Sequence, residues 1–188
     1  ISGYEDVQCK HLLDSLSCIL AFPQHERVQG IPDTVPLQRP AQPLLVIDVG
    51  SGAGFPGLPI KIMLPDIRMT LLEATAKKVM FLRHMIEELG LPDVQIIHGR
   101  AEDIGQIAEH RERYDLVVAR AVAALPVLLE YCLPLCRVGG RVVAQKGEDV
   151  QEEVQGSQNA LRILGNAIVD IKPVSLPCLS LRHLVVVD

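Results

Sequence analysis

Aromatic side chains are scarce in this sequence: three Phe, three Tyr and no Trp among 188 residues. Its core must therefore be filled by aliphatic side chains. That bias suits a parallel sheet buried on both faces, whose strands read as unbroken Val/Ile/Leu runs. Positive charge is also in deficit, with 18 Lys and Arg against 23 Asp and Glu and a net charge of −5. A polyanion binder needs Lys and Arg to displace condensed counterions, so any nucleic-acid site here must be a local patch. Cysteine occurs five times, at Cys9, Cys18, Cys132, Cys136 and Cys178, with no C-x-x-C. Cys132 and Cys136, four apart on an expected helix, would face one way but have no second ligand pair at metal spacing, so reduced thiols and no metal are expected. No signal peptide or long apolar span is legible, which predicts a cytoplasmic protein without a membrane partner. The sequence opens without Met, so the true N-terminus is expected upstream.

What is present is ordinary globular composition, 48% hydrophobic and 22% charged, over a length that suits one domain. Residues 1–22 carry Leu12, Leu13, Leu16, Ile19 and Leu20 at helical spacing and form a short lead-in. Residues 23–43 hold five prolines and read as a connector. From residue 44 to 188, strand and helix patterns alternate. Strands are predicted over 44–49, 68–73, 94–98, 114–119, 141–145, 167–174 and 181–187, the last in antiparallel sense. Helices are predicted over 58–64, 76–89, 125–135 and 148–164, and a Val-Gly-Gly turn over 138–140. This alternation predicts an α/β fold with a doubly wound, mostly parallel sheet.

The run Asp48-Val-Gly50-Ser-Gly52-Ala-Gly54-Phe-Pro-Gly57 follows the first strand and opens a helix. Glycines let the chain turn sharply there and leave no Cβ in the way of a ligand. Ligands of this fold bind at the carboxyl ends of the strands. Gly52, Gly54 and Gly57 also satisfy the dinucleotide fingerprint, with Glu73 about 20 residues on, so an NAD-dependent dehydrogenase stays open. Three features favour S-adenosylmethionine. Gly50 supplies an earlier glycine, Asp48 can accept from an ammonium group, and Pro56 and Pro59 stiffen a helix entry that a pyrophosphate would want open. Glu73, at the tip of the second strand, can accept from both hydroxyls of a ribose.

The same loop, with Leu72-Glu-Ala-Thr-Ala-Lys-Lys78, Phe81-Leu82, His11-Leu-Leu-Asp-Ser15, Arg100-Ala-Glu102, Ala119-Arg-Ala121 and Gln145-Lys-Gly147, resembles the 16S rRNA (guanine(527)-N7)-methyltransferases, also called glucose-inhibited division protein B. The resemblance runs from His11 to the last strand. It departs at the N-terminus, where helical sequence is shorter, and in a longer connector. It implies a Rossmann-like class I fold, S-adenosylmethionine as cofactor, and 16S rRNA or the small ribosomal subunit as partner. The residues it implies at the cofactor are Gly50, Phe55, Ala101, Glu102 and Arg120, which join Asp48, Gly52, Gly54 and Glu73 from the loop argument. Arg120 can pair its fork with the cofactor's carboxylate, or instead form a salt bridge to Asp48 or Glu73.

No catalytic base is expected, because guanine N7 carries a lone pair and no proton. Arg120 and Lys146 are the candidates for positioning, with Lys146 directed at guanine O6 or a phosphate. His11 and Asp14 are read as fastening the lead-in helix. Arg27, Arg39, Lys61, Lys77, Lys78, Arg83 and Arg100 could supply local positive charge for RNA. The competing readings are a methyltransferase of a small molecule or protein, the dehydrogenase, and a cofactor-binding module without turnover.

Overall fold

Alternate residues of a strand point to opposite faces, so a strand that is aliphatic at every position must be covered on both sides. The computed structural model, which describes residues 3–22, 42–147, 150–165, 169–177 and 179–188, shows this arrangement. Seven strands form one sheet: β1 (Leu45–Val49), β2 (Arg68–Glu73), β3 (Val94–His98), β4 (Tyr114–Arg120), β5 (Cys136–Lys146), β6 (Val169–Val174) and β7 (Arg182–Val187). Their order is β3-β2-β1-β4-β5-β7-β6. The first five are parallel, and β7 runs antiparallel between β5 and β6.

On one face Ile47, Val49, Val117, Ala119, Val142 and Val185 pack under Leu125, Leu128, Leu129 and Cys132. Those last four lie on α6 (Leu125–Cys132), which is flanked by α7 (Val150–Gly156) and α8 (Gln158–Leu164). On the other face Val46, Leu71, Leu116, Val118 and Val186 meet Leu58 and Ile60 of α3 (Gly57–Met63) and Leu82 of α4 (Ala76–Leu89). Cys18, Ala21 and Phe22 of the lead-in join this second cluster. The lead-in is helical throughout but changes pitch: α1 (Tyr4–Val7), a π-helical stretch over Gln8–Leu13, α2 (Asp14–Ser17) and a 3₁₀ turn over Cys18–Ala21.

Element types agree with the sequence pattern, and β2, α4 and β3 have the expected bounds. α4 stops at Gly90, which adopts φ +57° while the N–H of Leu91 bonds the carbonyl of Ile86. This is the left-handed closure that glycine makes cheap. The differences have local causes. The expected helix 125–135 ends at Cys132, ahead of Pro134. The expected turn at 138–140 lies inside β5. Tyr114 pairs with Cys136 and Leu116 with Arg141, so Arg137–Gly140 bulge outward and Arg137 bonds Asp115 at 2.6 Å. The single helix expected over 148–164 is two, broken at Ser157, whose hydroxyl bonds the Glu153 carbonyl at 2.6 Å. α5 (Ala101–Ile104), only four residues long, carried no periodic signal.

Cys18, Cys132 and Cys136 are buried free thiols, and burial raises the pKa of each. Cys9 departs from the expected reduced set. It is half-buried on the lead-in, outside the sealed core, and is disulfide-bonded. Cys178 and most of the connector lie outside the described residues, as do Arg27 and Arg39.

Lys61 corrects another expectation. It is 1% exposed and unavailable to RNA. Its ammonium closes the end of α3 by donating to the carbonyls of Pro65 at 2.8 Å and Ile67 at 2.7 Å, and burial pulls its pKa down. Lys61→Ala leaves both carbonyls without that donor. It is expected to cost about 2–4 kcal/mol of stability in urea unfolding, while cofactor affinity of the folded protein stays unchanged.

Candidate functional site

The strand order reverses between β1 and β4, and the crevice at the carboxyl ends of these strands is where the glycine loop lies. Gly50, Gly52 and Gly54 adopt φ +72°, +59° and +94°, a region costly for residues with a Cβ. Added Cβ atoms at Gly50 and Gly54 would fall 2.8 Å from Val122 and 2.3 Å from Leu58. At Gly52 the nearest atom would be the Gly50 carbonyl oxygen at 3.8 Å, so this glycine faces open space.

Two acids organise the loop. Asp48 is fully buried, and its Oδ2 accepts from the Gly57 N–H at 2.9 Å. Its Oδ1 is buried and has no hydrogen-bond partner among the described residues. Burial pushes the Asp48 carboxyl up to about 7, although the Gly57 N–H, the Ser51 hydroxyl and the Arg120 charge pull the other way. Glu73 accepts from the N–H of Gly52 at 2.9 Å and of Thr75 at 2.8 Å. Burial alone would raise its pKa; those two N–H groups overcome it and hold the carboxyl below its ordinary range.

The lead-in helix closes one side of the crevice. Arg120, 16% exposed at the end of β4, donates from Nη1 to Asp14 Oδ2 at 3.1 Å, so the salt bridge joins neither Asp48 nor Glu73. Its guanidinium lies 5.2 Å from the Phe55 ring centre, and the His11 ring stacks on Phe55 at 5.1 Å. The next residue, Ala121, takes φ +55°, a strained turn at the crevice rim. His11 and Asp14 thus bring the helix onto the domain, as expected.

Ala101 and Glu102 begin α5 and line a cavity of about 360 Å³ with Tyr131 and Glu130. The exposed pair Arg100–Glu102 is 3.5 Å apart. Lys146 is engaged within the protein, donating to Glu153 at 2.7 Å and to the Ala123 carbonyl at 2.8 Å. Glu153 also accepts from the Leu125 N–H at 2.7 Å, which ties the rim segment 121–125 to α7. Lys77, Lys78, Arg83 and Arg100 are exposed. A larger cavity of about 470 Å³ opens at the opposite sheet edge, around Thr70, His110 and Tyr114. The topology and the glycine loop favour the carboxyl-end crevice as the reaction site.

Sequence reasoning missed Gln145 and Glu153. Gln145 is 5% exposed and its amide donates to the Asp14 carbonyl at 2.6 Å, to Asp14 Oδ1 at 3.0 Å and to the Ser17 hydroxyl at 3.1 Å. A glutamine closing the buried run Val142-Val-Ala144 was a usable signal, since a buried amide demands partners.

An antiparallel β7 between β5 and β6 departs from the all-parallel nucleotide-binding order 3-2-1-4-5-6. With the glycine loop and the acid at the tip of β2, it defines a class I methyltransferase domain. A methyltransferase from Aquifex aeolicus, described as SAM-dependent, shares the fold with a TM-score of 0.55 at 18% identity, over 78% of this chain and 82% of that one. The chain belongs to the GidB family, rRNA small subunit methyltransferase G, whose profile matches residues 1–184. It is 47% identical to ribosomal RNA small subunit methyltransferase G of Alkaliphilus metalliredigens, over 97% of this chain and 70% of that protein. The Roseiflexus sp. protein of the same name is 46% identical, over 100% of this chain and 73% of that one. The cofactor of these enzymes is S-adenosylmethionine, and the site fits it. A buried carboxylate oxygen has no donor among the described residues, a carboxylate stands at the β2 tip, and the loop presents no Cβ at Gly52.

Proposed function

We propose that this chain transfers a methyl group from S-adenosylmethionine to N7 of a single guanine of 16S rRNA, position 527, in the small ribosomal subunit of the bacterial cytoplasm. The observation that carries the reading is the juxtaposition of the orphan Asp48 oxygen, the Glu73 carboxylate and the open glycine loop at one crevice, in a chain of this family. Asp48 would accept from the cofactor's ammonium and Glu73 from its ribose. Gly50, Gly52, Gly54 and Phe55 would form the bed, Ala101 and Glu102 would face the adenine, and Arg120 would meet the carboxylate.

The cofactor would supply an electrophilic methyl group on a sulfonium; guanine N7 has a lone pair to attack it and no proton to remove, and the S–CH3 bond would break to leave a neutral thioether. The protein's task is therefore alignment, which is worth up to roughly 7–11 kcal/mol in favourable cases. The stiff loop and the pinned 121–125 rim serve that task. Among the described residues no helix is long and apolar enough to cross a membrane, and no group of three His, Cys, Asp or Glu side chains gathers as a metal site.

Radiolabelled methyl transfer into small subunits isolated from a strain lacking the modification tests the reading, followed by mapping of the labelled nucleotide. Label at guanine 527 is expected. Label only in protein or a small molecule, or none with bound cofactor, would overturn it. Glu153→Ala, which releases Lys146 and the Leu125 N–H, is expected to lower kcat in this assay about tenfold, with little change in cofactor affinity.

A further inference from the structure

Asp14 is a carboxylate 3% exposed, carried by the lead-in helix and inserted among the ends of three strands. Its Oδ2 receives Arg120 Nη1 from β4 at 3.1 Å. Its Oδ1 receives Gln145 Nε2 from β5 at 3.0 Å and lies 3.5 Å from Arg182 Nε of β7. The Gln145 amide also holds the Asp14 carbonyl and the Ser17 hydroxyl. One oxygen of Asp14 is thus fixed by a buried amide and the other faces the guanidinium at the crevice. Arg120 Nη1 also points at the Lys10 carbonyl, at 3.4 Å, and Nη2 at His11 Nδ1, at 3.5 Å; both contacts are long. The Asp14 carboxylate is therefore the strongest restraint on the direction of that fork. Among the described residues Nε of Arg120 donates to none, which leaves an edge of the fork for a ligand.

We infer that Asp14 is a positioning residue: anchored by Gln145, it orients the Arg120 guanidinium over Phe55 so that its remaining N–H groups meet the cofactor's carboxylate. Asp14 itself touches no cofactor. A bidentate pair depends on the angle of the fork as much as on its charge, so a guanidinium released from Asp14 keeps its charge but loses its angle. The inference makes the lead-in helix a component of the cofactor site and not a mere cover of the sheet. It rests on the assignment of Arg120 to the cofactor's carboxylate.

A double-mutant cycle tests it by calorimetric titration of the full chain with S-adenosylmethionine, alongside thermal melting without cofactor. Arg120→Ala is expected to weaken binding about 30-fold and Asp14→Asn about tenfold, as for loss of hydrogen bonds to charged groups. In the double variant the loss is expected to stay near 30-fold, because Asp14 acts through Arg120. Gln145→Leu should weaken binding in the single variant and add nothing in the Arg120→Ala background. A carboxylate that only fastens the helix would lower the melting temperature and leave affinity intact, or add its loss to that of Arg120→Ala toward 300-fold. Either outcome overturns the inference. Should Asp14→Asn fail to fold, the Gln145→Leu cycle decides by the same criterion. The readout is cofactor binding, so it stands apart from the substrate assignment. That assignment fails in wild-type turnover on small subunits, whereas this inference fails in the cycle.

Discussion

Glu73→Ala is expected to weaken S-adenosylmethionine binding by roughly two orders of magnitude, the largest single loss from any side chain of the loop. The carboxylate has two tasks in one place. It already accepts from the Gly52 and Thr75 N–H groups, which fixes the glycine loop against the end of β2. On the proposed reading it would also accept from the two ribose hydroxyls. A hydrogen bond to a charged group is worth about 1.5–3 kcal/mol, so losing two such bonds to the ligand approaches 3–6 kcal/mol, reduced where water substitutes. Glu73→Gln retains an acceptor for one hydroxyl and should lose only about tenfold. Titration calorimetry on both variants distinguishes this from a purely structural acid. If Glu73→Ala lowers the melting temperature yet binds cofactor as the wild type does, Glu73 serves the loop alone. Adenosine lacking its 2′-hydroxyl offers a second check, since its penalty should vanish in the Glu73→Ala background.

Much of this site could be read in the sequence because its geometry is local. Asp48, the glycines and Glu73 sit at fixed offsets from the ends of two strands. Once Leu45–Val49 and Arg68–Glu73 are strands, their loops must meet at the same sheet edge. The parallel sheet was legible for a similar reason: strands such as Val46-Ile47 and Leu116–Ala119 are aliphatic at successive positions, and only double coverage explains that. Long-range partnerships were not legible. Asp14 and Gln145 are separated by 131 residues, and nothing in either neighbourhood specifies the other. Lys146 and Lys61 show the limit of reading charge as surface. A Lys placed beside a buried strand looked like a hand held out to RNA, yet one ammonium ties Glu153 to the rim and the other closes α3. Both lysines satisfy protein carboxylates or carbonyls, a demand that only the folded chain creates.

Cofactor affinity is expected to fall about tenfold for each pH unit below 7, so that binding near pH 5 is on the order of 100-fold weaker than on the plateau above. On the proposed reading the cause is Asp48, whose carboxyl is raised by burial to about 7 and whose Oδ1 has no hydrogen-bond partner among the described residues. A cationic ammonium needs the ionised form, so the neutral fraction must lose its proton before the pair can form. The sign for folding is opposite. The folded chain keeps on Asp48 a proton that the unfolded chain has released above the ordinary carboxyl value of 3.8. The stability this contributes is whole below about pH 4 and is lost as pH rises toward 7. Cofactor binding should offset the loss, so the ligand-induced rise in melting temperature should be larger at pH 8 than at pH 5. Titrations in buffers of different ionisation enthalpy should register close to one proton released per cofactor bound near pH 6. Asp48→Asn removes the titration. Its affinity should be low and flat from pH 5 to 8, and its binding should release no proton at this position. A wild-type profile that is itself flat, or an Asn variant that keeps the slope, would move the ammonium site elsewhere in the crevice and leave Asp48 only its bond to Gly57.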